Sequence, residues 1–117
     1  MPTIRDLVDA IRQREGVEAA VVLGRDGLLI DGHAVPNLDA EGASAHIPSV
    51  ITAADEFGAA AGRGPVVTAI LEHQRGMAII TVLSPEAILL VLVQPTANIG
   101  QLLFELRRNR EHIASLV

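Results

Sequence analysis

The sequence predicts an α/β protein, an α+β sandwich in which helices cover both faces of one five-stranded antiparallel sheet. Segments with helical and strand-like apolar spacing follow one another in the order α-β-β-α-β-β-β-α. The connections between the last three strands are too short for parallel crossovers. The final strand is apolar at every position, as expected where both sheet faces are buried. At 117 residues the chain has the length of one domain, so we expect residues 1–117 to form a single domain.

The first predicted helix follows Thr3, whose hydroxyl can cap it while Asp6 stands in its first turn. Gly16 is expected to end this helix, because glycine readily adopts the left-handed conformation that follows helices. The apolar positions at helical spacing are Ile4, Leu7, Val8 and Ile11.

A β-hairpin follows, with strands predicted at Val17–Leu23 and Leu28–Asp31. Residues 24–27, Gly-Arg-Asp-Gly, form its turn, since Asp-Gly between two apolar runs favours the positive φ of tight hairpins. Phosphate binding is not expected here, because phosphate-binding loops lead into a helix and this turn leads into a strand.

The second predicted helix is capped by Asp39. Pro48 lies inside it and leaves the carbonyl of Ser44 without a helical partner, so the helix is either kinked there or begins near Ile47. The apolar positions alternate steps of four and three, which is typical of a seam between two helices. They are Ala43, Ile47, Val50, Ala54, Phe57 and Ala61.

Gly62–Pro65 is expected to end that helix, and a meander of three strands is predicted at Val66–Glu72, Met77–Leu83 and Ala87–Val93. A last helix is predicted from about Asn98. Its inward-facing residues are expected to be Ile99, Leu102, Leu103, Leu106 and Ile113.

The three helices are expected to lie with the first and last on one face of the sheet and the middle helix on the other. The middle helix has only a narrow apolar stripe and covers its face of the sheet poorly. The same helix of a second copy can cover the rest of that face. The strand Val66–Leu71 is apolar and uncharged, so it is expected to form an unprotected edge that pairs with its copy in a ten-stranded sheet. The same stripe would also suit a simple core. The expected dimer interface comprises Val66, Thr68, Ile70, Ile47, Val50, Ala54 and Phe57.

The composition restricts the partners and the location. The net charge is −5 and all nine basic residues are arginine, so no general basic field favours nucleic acid or anionic membrane. There is no cysteine, the first residues lack the pattern of a signal peptide, and the longest apolar run, Ala87–Val93, is too short to span a bilayer. We therefore expect a cytoplasmic protein with no membrane insertion.

Residues 16–30, Gly-Val-Glu-Ala-Ala-Val-Val-Leu-Gly-Arg-Asp-Gly-Leu-Leu-Ile, together with the apolar final strand and the element order, resemble the roadblock/dynein light chain family across nearly the whole chain. Profilin-like and longin-like domains share a related architecture. The resemblance implies an MglB-like bacterial member that forms a homodimer or heterodimer through its third strand and second helix.

The resemblance also implies a partner. In this family the partners are small Ras-like GTPases, including the bacterial polarity GTPase served by MglB-type activators, or motor and signalling assemblies. The resulting hypothesis is a non-enzymatic homodimeric regulatory or scaffold module that binds a small Ras-like GTPase and activates it or regulates polarity or motility. Ile51, Asp55 and Glu56, at the side of the stripe, are expected to face that partner.

No catalytic, metal or cofactor site is predicted. The serines have no base placed beside them by spacing, and the acidic pairs are expected to be solvated. The arginines near the end of the last helix alternate with glutamates and suit the helix dipole better than an anion site. The histidines fall on different elements without the short spacing of metal ligands. They are His33, His46, His73 and His112.

Arg25, Arg63 and Arg75 lie on predicted turns or loops, where the arginine finger of a GTPase activator could project. We expect ordinary turn arginines, and activation through the residues of the GTPase itself. The alternative function is a small-molecule or signal-sensing module of profilin/longin-like layout. The small number of polar groups among the apolar strands argues against it.

Overall fold

The computed structural model describes residues 3–117. Helix α1 (Ile4–Arg12) begins with the predicted cap: the Thr3 hydroxyl accepts a hydrogen bond from the Asp6 N–H at 3.2 Å, and the Asp6 carboxylate accepts one from the Thr3 N–H at 2.9 Å. The helix ends four residues earlier than expected, because residues 13–16 continue as turns. Gly16 closes them with φ +85°.

The hairpin consists of β1 (Val17–Gly24) and β2 (Leu29–Ala34). β2 extends beyond its predicted end, and its register shifts at Ile30, which forms a bulge opposite β1. The N–H of Gly32 donates to the carboxylate of the preceding residue, Asp31, at 2.8 Å. β2 is one edge of the sheet.

The second predicted helix is divided into α2 (Ala40–Ala45) and α3 (Ile47–Ala60), which meet at His46. The Asp39 carboxylate caps α2 by accepting from the Gly42 N–H at 2.9 Å. Pro48 stands in the first turn of α3, where its missing N–H removes no helical hydrogen bond. The open question about Pro48 is therefore resolved: the long helix starts at Ile47.

The meander consists of β3 (Thr68–His73), β4 (Gly76–Val82) and β5 (Ala87–Val93). The strand order is β2-β1-β5-β4-β3 and every pair is antiparallel. β3 begins two residues later than predicted, because the N–H of Val66 donates to the Asp55 carboxylate of α3 at 2.8 Å. The expected edge position of β3 is confirmed.

The last predicted helix is also divided, into α4 (Ile99–Arg108) and α5 (Arg110–Ser115). α4 begins where expected, with Asn98 as its cap, and at its end the side-chain amide of Asn109 donates to the Glu105 carbonyl at 2.9 Å. The Nε–H of Arg110 then donates to the Val82 carbonyl at 3.1 Å, which ties α5 to the end of β4.

Two cores lie on opposite faces of the sheet. The first packs α1, α4 and α5 against residues such as Ile79 and Leu89, and the second packs α3 against Ile80 and Leu90. Adjacent residues of β4 and of β5 are thus fully buried on both sides of the sheet, which the unbroken apolar run predicts for β5. The expected placement of the helices is confirmed. Among residues 3–117, no helix is long and apolar enough to cross a membrane.

Candidate interaction surface at the β3 edge

One side of α3 belongs to the core. Ile47 and Ile51 are four residues apart, lie on one helical face and pack against the sheet, with Ile51 only 3% exposed. The expectation that Ile51 faces a partner is therefore wrong. Ile47, expected in the dimer interface, instead lies within the core of its own chain.

The neighbouring side of α3 faces the β3 edge. Val50 and Ala54 are half-buried there, and Phe57 completes the stripe one turn further along. Phe57 is 73% exposed, the highest value for a large apolar side chain in residues 3–117. An aromatic ring left in water beside an open strand indicates an association surface.

The β3 strand contributes the rest of this surface. Thr68 and Ile70 stand opposite Thr81 and Ile79, on the sheet face that α1 and α4 cover. Ile70 nevertheless remains 43% exposed. Val66, half-buried, packs beside the α3 core just before the strand. On its outer side β3 pairs with no strand of the described chain.

Two grooves flank this edge, one near each end of β3. α3 runs in the opposite direction to β3, so the end of the helix lies near the start of the strand. The start groove, about 500 Å³, lies where the end of α3 meets the beginning of β3 and is lined by Ala54, Phe57, Pro65, Thr68 and Ile70. The end groove, about 450 Å³, lies where the beginning of α3 meets the end of β3. It is lined by His46, Val50, Leu71, Ala78 and Leu92.

Asp55 is occupied within its own chain. Its carboxylate accepts the Val66 N–H at 2.8 Å and lies 3.7 Å from the guanidinium of Arg25. It therefore fixes the approach to β3, a role that spacing did not reveal. Glu56, the other acidic residue expected to face a partner, is exposed.

The three arginines considered as fingers have different surroundings. Arg25 is held by the fold, because it also donates from Nη1 to the Pro85 carbonyl at 3.2 Å. Arg63 and Arg75 are exposed and have no ion-pair partner within residues 3–117.

The other polar groups considered in residues 3–117 lie on separate parts of the fold. The described part of the chain holds no group of three or more His, Asp or Glu that could bind a metal ion. His33 pairs with Asp9 at 3.1 Å on the surface, and Arg14 pairs with Glu105 between α1 and α4. The Ser44 hydroxyl is buried without a hydrogen-bond partner in residues 3–117 and lies apart from any base.

These elements define a small domain in which helices cover both faces of a five-stranded antiparallel sheet that is open at β3. The Roadblock/LC7 domain model matches residues 3–93, and the chain belongs to that family. The match ends at the last residue of β5, so α4 and α5 lie beyond it.

Related proteins cover the whole fold. The uncharacterized protein MJ1340 of Methanocaldococcus jannaschii is 28% identical over 106 residues, which are 91% of this chain and 92% of that protein. The gliding protein MglB of Thermus thermophilus has a TM-score of 0.84 at 13% identity, covering 97% of this chain and 87% of its own. MglB in a tetrameric arrangement has a TM-score of 0.84 at 14% identity, covering 97% and 86%. At these identities the two structural likenesses show the fold alone.

Proposed function

We propose that this protein is a non-enzymatic homodimeric module of the cytoplasm that binds a small Ras-like GTPase as its regulator or scaffold. The observation that carries the proposal is the open β3 edge, which continues into the exposed side of α3 around Phe57. An unpaired strand and an adjacent apolar helix side can both be satisfied at once by a second copy. The structural likeness to MglB supports a regulatory role of this kind.

In the proposed dimer, two β3 strands pair antiparallel and join the sheets into ten strands. Val66, Thr68 and Ile70 lie along the joined edges, while Val50, Ala54 and Phe57 meet the second α3 above them. The combined α3 surface, which carries Glu56 on each copy, would then contact the GTPase.

The decisive measurement is the solution mass by light scattering of the native protein and of an Ile70→Asp variant. A charge at the centre of β3 should convert the dimer into a folded monomer, since Ile70 is 43% exposed and its substitution leaves the core intact. Ile30→Asp is the matched control, because Ile30 is 55% exposed on the opposite edge strand and this variant should stay dimeric. A native monomer, or an Ile70→Asp dimer, would contradict the proposed interface.

The proposed GTPase partner is tested by measuring whether Ras-like GTPases from the same genome bind the native protein in their GDP and GTP-analogue states. Failure of all of them to bind the native dimer would remove the GTPase proposal and leave self-association untouched.

If GTP hydrolysis is accelerated, Arg63→Ala and Arg75→Ala should each retain the acceleration within about tenfold. An arginine finger supplies about 10³–10⁵ in kcat, so its removal would be unmistakable. Single-turnover hydrolysis with each variant measures this. Loss of acceleration with dimer and binding intact would show that one of these arginines enters the GTPase site.

A sensing module is the second candidate function, and the end groove favours it. Its volume of about 450 Å³ and its apolar floor suit a small ligand, with His46 and His73 at the rim. Specific stabilisation of the dimer by a metabolite in a thermal-shift screen would support this candidate.

A further inference from the structure

The end groove is an apolar cavity of about 450 Å³ that opens on the α3 face. Leu71 and Leu92 are only half-buried in its floor, although both belong to the α3 core. Val50 forms its wall, and the polar residues Glu18, His46 and Arg75 stand at its rim. An apolar floor with a polar rim is the arrangement that receives an aromatic anchor in protein interfaces.

The direction of α3 determines what can reach this groove. Phe57 lies near the start of β3, because the neighbouring Asp55 binds the N–H of Val66 there. The end groove lies near the opposite end of the same strand, beside His73. Phe57 therefore cannot fill the groove of its own chain.

Two-fold pairing of β3 strands reverses this separation. In an antiparallel pair the start of one strand lies beside the end of the other. A two-fold axis perpendicular to the joined sheet keeps both α3 helices on the same face. Phe57 of one protomer is then brought to the end of its partner's β3, where the partner's end groove opens.

We infer that Phe57 of each protomer inserts into the end groove of the other and contacts Val50 and Leu71 there. This inference rests on the proposed β3 dimer and names the residue that anchors it. It assigns a role to Phe57, the most exposed large apolar side chain in residues 3–117, and an occupant to the apolar end groove. It also explains why one copy of α3 leaves part of its sheet face uncovered.

The first test compares Phe57→Ala with Phe104→Ala by dilution and light scattering. Phe104 is the matched control, since it is the other aromatic residue, is 63% exposed and lies on α4, outside the α3 face. Phe57→Ala should raise the dimer Kd by about 100-fold or more, because the interface contains the ring twice and buried aromatics dominate such interfaces. Phe104→Ala should leave the Kd unchanged, and equal effects of the two substitutions would overturn the inference.

The second test locates the ring without a destabilising substitution. The chain contains two aromatic residues, so labelling with 4-fluorophenylalanine gives two ¹⁹F resonances, assigned with Phe104→Ala. In the dimer a soluble gadolinium chelate should broaden the Phe104 resonance and spare that of Phe57. A dimer in which both resonances broaden overturns the inference, keeps the dimer, and leaves the groove to a small ligand. A monomer at every concentration overturns the proposed dimer itself.

Discussion

Gly58→Ala is expected to lower the free energy of unfolding by about 2 kcal/mol, although alanine usually stabilises a helix by up to about 1 kcal/mol relative to glycine. A Cβ on Gly58 would lie well under 3.0 Å from the Gly64 carbonyl oxygen, so backbone must move. The Arg63 N–H also donates to the Gly58 carbonyl at 2.7 Å. Residues 61–65 would be displaced, and with them the approach to β3. Chemical denaturation monitored by circular dichroism measures the loss.

Gly100→Ala in α4 is the control for this substitution. The nearest atom to its new Cβ is the Asn98 side-chain oxygen at 3.8 Å, an ordinary contact, so the helical preference of alanine should prevail and stability should rise slightly. If both variants gained stability, the close packing of Gly58 against residues 61–65 would be contradicted.

Leu89→Ala and Leu90→Ala are each expected to cost about 2–5 kcal/mol, the range for deleting a buried leucine side chain. These neighbours point to opposite faces of β5, and both are fully buried. In a sheet with one wet face, one of the two substitutions would be nearly harmless. Similar losses of unfolding free energy for the two variants would therefore show that helices cover both faces of the sheet.

Leu92→Ala provides the comparison within the same strand. In the Ile70→Asp background, where the proposed β3 pairing is lost, Leu92 is half-buried at the open end groove, so its truncation removes fewer contacts and should cost less than that of Leu90, which lies on the same face. Urea unfolding at a fixed protein concentration gives the differences. In the native background the loss from Leu92→Ala should be larger than in the Ile70→Asp background, because the inferred insertion of Phe57 would cover Leu92. Equal losses in the two backgrounds would contradict that insertion.

The fold was predictable where local chemistry alone decides the structure. β5 begins and ends where the sequence predicts, because seven apolar residues between turn residues permit no other strand. The Thr3 cap follows from side-chain chemistry within one turn. The extent of β2 did not follow, since Asp31, Gly32 and His33 are poor strand formers and depend on pairing with β1. The division at Asn109 did not follow either, because the apolar spacing continues from α4 to Ile113 of α5.

The interaction surface was predictable only in part. An edge position for β3 follows from its place at the start of the meander. The orientation of α3 does not, because α3 carries apolar residues on more than one side and spacing alone does not choose the side that packs on the sheet. For this reason spacing predicts an outward-facing Ile51 and groups Ile47 with Val50, whereas both isoleucines are buried against the sheet. The hydrogen bond from the Val66 N–H to the Asp55 carboxylate joins residues eleven apart, so it can be found only from the tertiary structure.

The bulge at Ile30 and the bond from the Gly32 N–H to Asp31 make the two margins of the sheet unequal. β2 offers an incoming strand an irregular backbone and an amide already engaged, both of which discourage strand addition. Of the two edges, β3 has the more regular backbone, and the proposed two-fold pairing would use it on both copies. Assembly through the proposed pairing would therefore stop at the dimer, and a high protein concentration would favour dimers without extending them into fibres.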